Sequence, residues 1–196
     1  MRTIETKVYT FDELSEDARQ KAIESHYEIN LHECWHESIT EEPTEILKYF
    51  KNPIVYFSGF WCQGDGAMFV YDGITEALKN EAINSLKLPE WKKRVLKAGY
   101  MHAKGKHFGH YCHERSCSHY LDFEPDNGQQ YYENIESLYD DHFWEIESFI
   151  KQKYEHLCKD LYKSLESLYN ELTTGEAIIE AIEASEYEFT VDGQRI

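Results

Sequence analysis

Between Tyr131 and Leu172 apolar residues return every three or four positions, through Ile135, Leu138, Tyr139, His142, Ile146, Phe149, Ile150, Tyr154, Leu157, Leu161, Leu165, Leu168 and Leu172. Only an α-helix brings such a series onto one face, and at 1.5 Å per residue the run amounts to up to ~60 Å of helix. An element of that length must lie across a sheet as a spine, or outrun its own domain and meet a second copy in a homodimer. Its polar positions are strongly acidic. Glu133, Glu136, Asp140, Asp141, Glu145 and Glu147 come first, then Glu155, Asp160 and Glu166.

Upstream the periods are mixed. Thr3–Tyr9 alternates as a first strand would, and Thr10–Ser15 offers capping side chains ahead of a helix through Ala18, Ala22 and Ile23. A second helix is predicted over about Glu33–Phe50, with Trp35, Ile39, Ile46, Leu47 and Phe50 on one face and Pro43 as a kink or boundary. Ile54–Trp61 and Ala67–Tyr71 read as a hairpin, apolar on both faces and therefore central in the sheet. Ile74–Leu86 and Pro89–Leu96 read as helices, and Tyr100–Phe123 as two strands around a turn. Gly175 is expected to end the long helix, with a short helix at Ala177–Ala184 and a closing strand at Tyr187–Ile196. The expected class is α+β: an antiparallel sheet with packed helices, one of them long and in the C-terminal half, in a single domain over 1–196.

With 41% hydrophobic and 15% aromatic residues, the chain is too apolar to stay disordered. It has neither a charged-then-apolar leader nor a run near the roughly eighteen apolar residues of a membrane span, so a soluble intracellular protein without a membrane partner is expected. Five cysteines without an export signal point to reduced thiols. The net charge of −17 disfavours direct nucleic-acid binding and favours a partner with a basic surface. Its distribution is uneven: residues 86–120 hold eight Lys/Arg against Glu90 and Glu114, a local +6 that leaves −23 elsewhere.

The segment Phe57–Phe69, F-S-G-F-W-C-Q-G-D-G-A-M-F, runs a strand into a glycine-punctuated turn. On one reading Gly64 and Gly66 satisfy the turn, Asp65 caps it and Trp61 fills core. On the other it is a recognition tip, with Trp61 as aromatic anchor, Gln63 and Asp65 as directional hydrogen-bonding groups, and glycine N–H groups as an anion nest. Together with Val8–Ala22 (V-Y-T-F-D-E-L-S-E-D-A-R-Q-K-A) and Glu186–Gly193 (E-Y-E-F-T-V-D-G), it resembles a family of uncharacterised proteins encoded by bacteriophages and prophages. The resemblance extends to Gly109-x-Tyr111-x-His113 and implies a fixed role for His113, with Trp61 and Gln63 held beside it. It also implies residence in the cytoplasm of an infected bacterial host, and it carries no activity.

Two constellations bear metal-ligand chemistry. His102, His107, His110, Cys112, His113, Cys117 and His119 crowd into eighteen residues, and imidazole and thiolate are zinc's preferred donors. The alternative is a basic, aromatic surface patch whose histidines titrate near neutrality. His32-Glu33-Cys34-Trp35-His36 matches the H-E-x-x-H string of zinc peptidases, which needs both imidazoles one helical turn apart with Glu33 polarising bound water. The polar flanks Asn30, Glu37 and Ser38 are unlike a peptidase helix, and the resembled family favours aromatic and acidic residues here. Phosphate-loop, dinucleotide and serine-elbow motifs are absent from the sequence.

The functional expectation is a phage-encoded acidic inhibitor, of the anti-CRISPR or anti-restriction kind. Its carboxylates would occupy a basic surface of a host defence or nucleic-acid-handling protein, with nucleic-acid mimicry as one way of doing so. The alternatives are a zinc-dependent hydrolase using His32, Glu33 and His36 or a metal centre within 102–119, and an antitoxin-like partner of a small basic toxin.

Overall fold

A computed structural model describes residues 7–32, 34–41, 47–126 and 135–196, with side chains for all of these except Ile135 and Glu136. In chain order the elements are α1 (Glu16–Ser25), α2 (Glu37–Thr40), β1 (Phe50–Lys51), β2 (Ile54–Phe57), β3 (Ala67–Val70), β4 (Gly73–Ile74), α3 (Glu76–Ser85) and α4 (Glu90–Ala98). There follow β5 (Tyr100–His107), β6 (Cys117–Glu124), α5 (Ile135–Leu172) and α6 (Gly175–Ala184). The fold is α+β, with small antiparallel sheets, packed helices and one long helix in the C-terminal half. The chain forms two compact units, Met1–Glu37 with Leu165–Ile196, and Ser38–Ser164.

In the unit built from both ends of the chain, Tyr9 and Phe189 exchange backbone hydrogen bonds of 2.9 and 2.8 Å. The Ser15 hydroxyl accepts from Ala18 N at the start of α1, and the Thr174 hydroxyl does the same from Ala177 N at the start of α6. Phe11, Leu14, Ala18, Ala22, Ile178, Ile182 and Phe189 form its core. Gly193 has φ +81°, and a Cβ there would lie 2.2 Å from the Ala18 carbonyl oxygen, so the closing turn can rest on α1 only as glycine. Three expectations change. The first strand is reduced to a bridge at Tyr9, residues 3–6 lying outside the described residues, and the closing strand to bridges of Phe189 with Tyr9 and Arg195. Gly175 opens α6, because the Thr174 cap makes the break.

In the other unit the predicted second helix is replaced by the single turn α2, followed after the undescribed positions 42–46, which include Pro43 and Ile46, by a turn and β1. Leu47 and Phe50 are still buried, but Phe50 pairs with Ile74 of β4 rather than continuing a helix. β2 pairs with β3 in the register Ile54↔Val70 to Phe57↔Ala67. Expected as central, β2 is an edge strand with Ile54 57% and Tyr56 38% exposed; its second apolar face looks outward. β3 is the central one, with Ala67, Met68 and Phe69 buried. A Tyr71–Gly105 bridge joins the β3 end to β5, and a Cβ at Gly105 would lie 2.4 Å from the Tyr71 ring. β5 and β6 pair along their full length, from Tyr100↔Glu124 to His107↔Cys117.

The buried stripe of α5, with Tyr139, Ile146, Ile150, Tyr154, Leu157 and Cys158, joins Phe69, Tyr71, Leu121 and Phe123 in one core. α3 and α4 add Leu78, Ala82, Ile83, Val95 and Leu96. Lys79 ties these two helices together: it is 3% exposed, its ammonium donates 2.9 Å hydrogen bonds to the carbonyls of Lys97 and Gly99, and it pairs with Glu76 at 2.6 Å. The carbonyls at the end of α4, which no intrahelical donor can reach, are thereby satisfied. Lys79→Met is expected to lower unfolding stability by about 2–3 kcal/mol, since a buried and a partly buried carbonyl lose a charged donor. Urea denaturation measures this, and a change within ~0.5 kcal/mol would show that solvent satisfies those carbonyls instead.

Candidate functional site

Two loops, residues 58–66 after β2 and 108–116 after β5, interlock side by side. In the first, the Asp65 carboxylate accepts hydrogen bonds from the backbone N–H groups of Trp61 (3.1 Å) and Cys62 (2.7 Å), fixing the tip from inside. In the second, His113 Nδ1 accepts from Arg115 N at 3.1 Å and caps the 3-10 turn Glu114–Ser116. His107 Nε2 lies 3.1 Å from the Tyr111 carbonyl, and the Tyr111 and His113 rings stack 6.0 Å apart at 20°. A Cβ on Gly64 would lie 2.3 Å from the Tyr111 ring; one on Gly66 would lie 2.7 Å from His113 Cβ and 3.0 Å from the Cys112 carbonyl oxygen. Gly64 has φ +96° as well, so turn and neighbouring loop both demand it.

An open cleft of about 510 Å³ lies between the loops, lined by Gln63, Asp65, Tyr111, His113, Glu114 and Arg115. The structure thus gathers Gln63, Asp65 and His113. Trp61, on the same tip, is 69% exposed, which overturns its reading as core. Glu114 and Arg115 entered the sequence reading only as charges of the stretch 86–120, not as site residues; their position directly after His113 was the available signal.

The metal-ligand candidates disperse. Among the described residues no three His, Cys, Asp or Glu side chains converge as a metal ion requires. His107 and His113 each have a ring nitrogen engaged within the loop, and His110 is exposed at its apex. Cys112 is half-buried, Cys117 is buried, and His102 pairs with Glu124 at 3.4 Å on the open face of the β5–β6 ribbon. Alternation along the ribbon puts His102 on the face opposite His107, Cys117 and His119. His32 and His36 stand in irregular chain and a turn before α2, not one above the other on a helix, and Glu33 lies outside the described residues. The His36 ring packs against Trp35 at 5.5 Å, and Trp35 against Tyr169 at 5.8 Å.

His119 belongs instead to a buried polar cluster. Its Nδ1 lies 2.8 Å from the Tyr71 hydroxyl, within hydrogen-bond distance, and the ring sits edge-on to Tyr154 at 4.6 Å. Burial, helped by the charge of Lys151, pushes its pKa down to about 4. Burial likewise pushes Cys158 up to about 12 and raises Cys117 and Tyr71, so these thiols stay protonated and poorly nucleophilic.

On α5, Asp140, Asp141 and Glu145 are exposed, and Glu145 meets His142 Nδ1 at 2.5 Å. Glu147 does not project outward: its side chain is 13% exposed and pairs with Lys151 at 3.0 Å. Asp160 pairs with His156, and Lys151, Lys153, Lys159 and Lys163 interrupt the acidic series after Glu147. Glu133 and the side chain of Glu136 lie outside the described residues. The feature missed was Trp144, 74% exposed and one turn from Asp140 and Asp141. An aromatic residue absent from the three-four stripe of a helix faces solvent, and that was the signal.

Because the folded pKa of His119 lies below its ordinary 6.5, folding favours the neutral ring. The stability this lends is present above about pH 6.5 and is lost as pH falls toward about 4. His119→Gln is therefore expected to flatten the decline in urea midpoint over that interval; a variant whose decline parallels the wild type would place the acid sensitivity elsewhere. Gly64→Ala is expected to destabilise by about 2 kcal/mol or more through its clash with Tyr111 and its positive φ, read as a lowered thermal midpoint. No curated protein and no solved structure matches the chain. A family model matches residues 11–175, and the chain belongs to that family, described as a domain of unknown function, DUF8835.

Proposed function

We propose that the protein is a non-catalytic inhibitor, of the kind encoded by phages, that binds a basic surface of a host defence or nucleic-acid-handling protein through the outer face of α5. The observation that carries this reading is Trp144, 74% exposed on a rigid helix and flanked by the exposed carboxylates of Asp140, Asp141 and Glu145. An unburied tryptophan costs a monomer solubility and offers a partner a large anchor at small entropic cost. Carboxylates around it select for Lys and Arg, and a net charge of −17 steers such a partner in. The sequence resemblance to phage and prophage proteins supplies the setting. The acidic face is local, so the contact is a patch around one aromatic anchor rather than a charged rod laid along a channel.

The test is affinity capture from infected host cells, followed by titration of the recovered protein. Affinity is expected to fall steeply with added salt. Trp144→Ala is expected to weaken binding about thirtyfold, the loss of a hot-spot residue, with unchanged helix content. Asp140→Asn with Asp141→Asn is expected to flatten the salt dependence. A partner held equally by all three proteins, or one indifferent to salt, would remove α5 from the interface.

A further inference from the structure

We propose that the cleft between the two interlocked loops binds a guanine base. The site lies apart from the α5 face, and the inference does not rest on the inhibitor reading. Its polar side chains fall into two groups. Asp65 and His113 are each anchored in the walls through one atom, Oδ2 accepting from two backbone N–H groups and Nδ1 from Arg115 N. Gln63, Glu114 and Arg115 have no side-chain hydrogen bond or ion pair among the described residues, although all three line the cleft. Beside them Tyr111 is 56% exposed and is held in place by the stacked His113 ring and by close contact with Gly64.

An exposed aromatic ring next to a guanidinium, a carboxylate and a carboxamide is a specific set of demands on a ligand. The ring asks for a flat π-face. Arg115 asks for two adjacent acceptors, which guanine presents at O6 and N7. Glu114 asks for adjacent donors, which guanine presents at N1–H and its exocyclic amino group. Adenine meets the carboxylate with the bare N1 acceptor, and the pyrimidines lack the O6/N7 edge, so neither satisfies both charged groups. Gln63 can donate and accept along whichever edge remains. The volume of about 510 Å³ is that of a pocket for a nucleotide-sized ligand. Arg115 belongs to the stretch 86–120, the locally basic part of an acidic chain.

The full chain titrated with GMP, AMP, CMP and UMP by calorimetry tests this. GMP is expected to bind at least about tenfold more tightly than the other three. Arg115→Ala and Glu114→Gln are each expected to weaken GMP at least about tenfold while leaving the thermal midpoint where it was, since neither side chain holds the loops together. A single-stranded oligothymidylate carrying one guanine separates the sources: tighter binding than GMP identifies an unpaired base in a strand, weaker binding a free nucleotide, and both sustain the site. Equal affinity for the four nucleotides, no binding of GMP, or GMP binding indifferent to both replacements in proteins that melt normally would overturn it.

Discussion

The Ser38–Ser164 unit is organised around the side chain of Tyr154. Its hydroxyl, fully buried, donates to the Phe69 carbonyl at 2.9 Å, which pins the long helix to the central strand β3 at one point. A buried hydroxyl without a partner costs more than a made hydrogen bond returns, so the axial position of α5 on the sheet is set there. Around it Phe50, Phe69, Tyr71 and His119 place their rings within 4.6–6.1 Å of the Tyr154 ring, drawing β1, β3 and β6 onto one aromatic block. The interlocked loops grow from strands gathered there, which is how a cleft made of irregular chain acquires a fixed shape.

Much of this was legible in the order of residues. The stripe from Leu138 to Leu172 required one helix, because a 3.6-residue period admits no other element, and the buried positions of α5 fall on it with the exception of Cys158, beside Leu157. The ribbon β5–β6 was readable from its alternation and its glycine-rich centre. Positions 33–50 misled because Trp35, Leu47 and Phe50 suit a helical face, yet Phe50 was claimed by β4, a pairing that local sequence does not announce. β2 misled for a related reason. Apolar residues on both faces signal a central strand only when something covers each face, and Ile54 and Tyr56 remain partly open.

The site was half legible. Gly64, Asp65 and Gly66 advertised a constrained tip, but what constrains it is a second loop more than forty residues later, with Tyr111 and His113 seated where any side chain on the glycines would be. The histidines and cysteines looked like one chemical set in the sequence. The fold divided them: His119 and Cys117 went to the aromatic block, and His107, at the end of β5, and His113, in the following loop, went into loop architecture. Trp144 escaped notice because a search for periodic residues attends to those on the stripe, and its significance is that it lies off it.

The partition of the chain bears on how it is made. One unit is contiguous, whereas the other joins the first 37 residues to those from 165 onward. During synthesis the early residues emerge long before Ile178, Ile182 and Phe189, against which Phe11, Leu14, Ala18 and Ala22 must pack. The contiguous unit can collapse on the ribosome while the N-terminal segment, too short to hold a helix by itself, waits for the residues from 165 onward that complete its core.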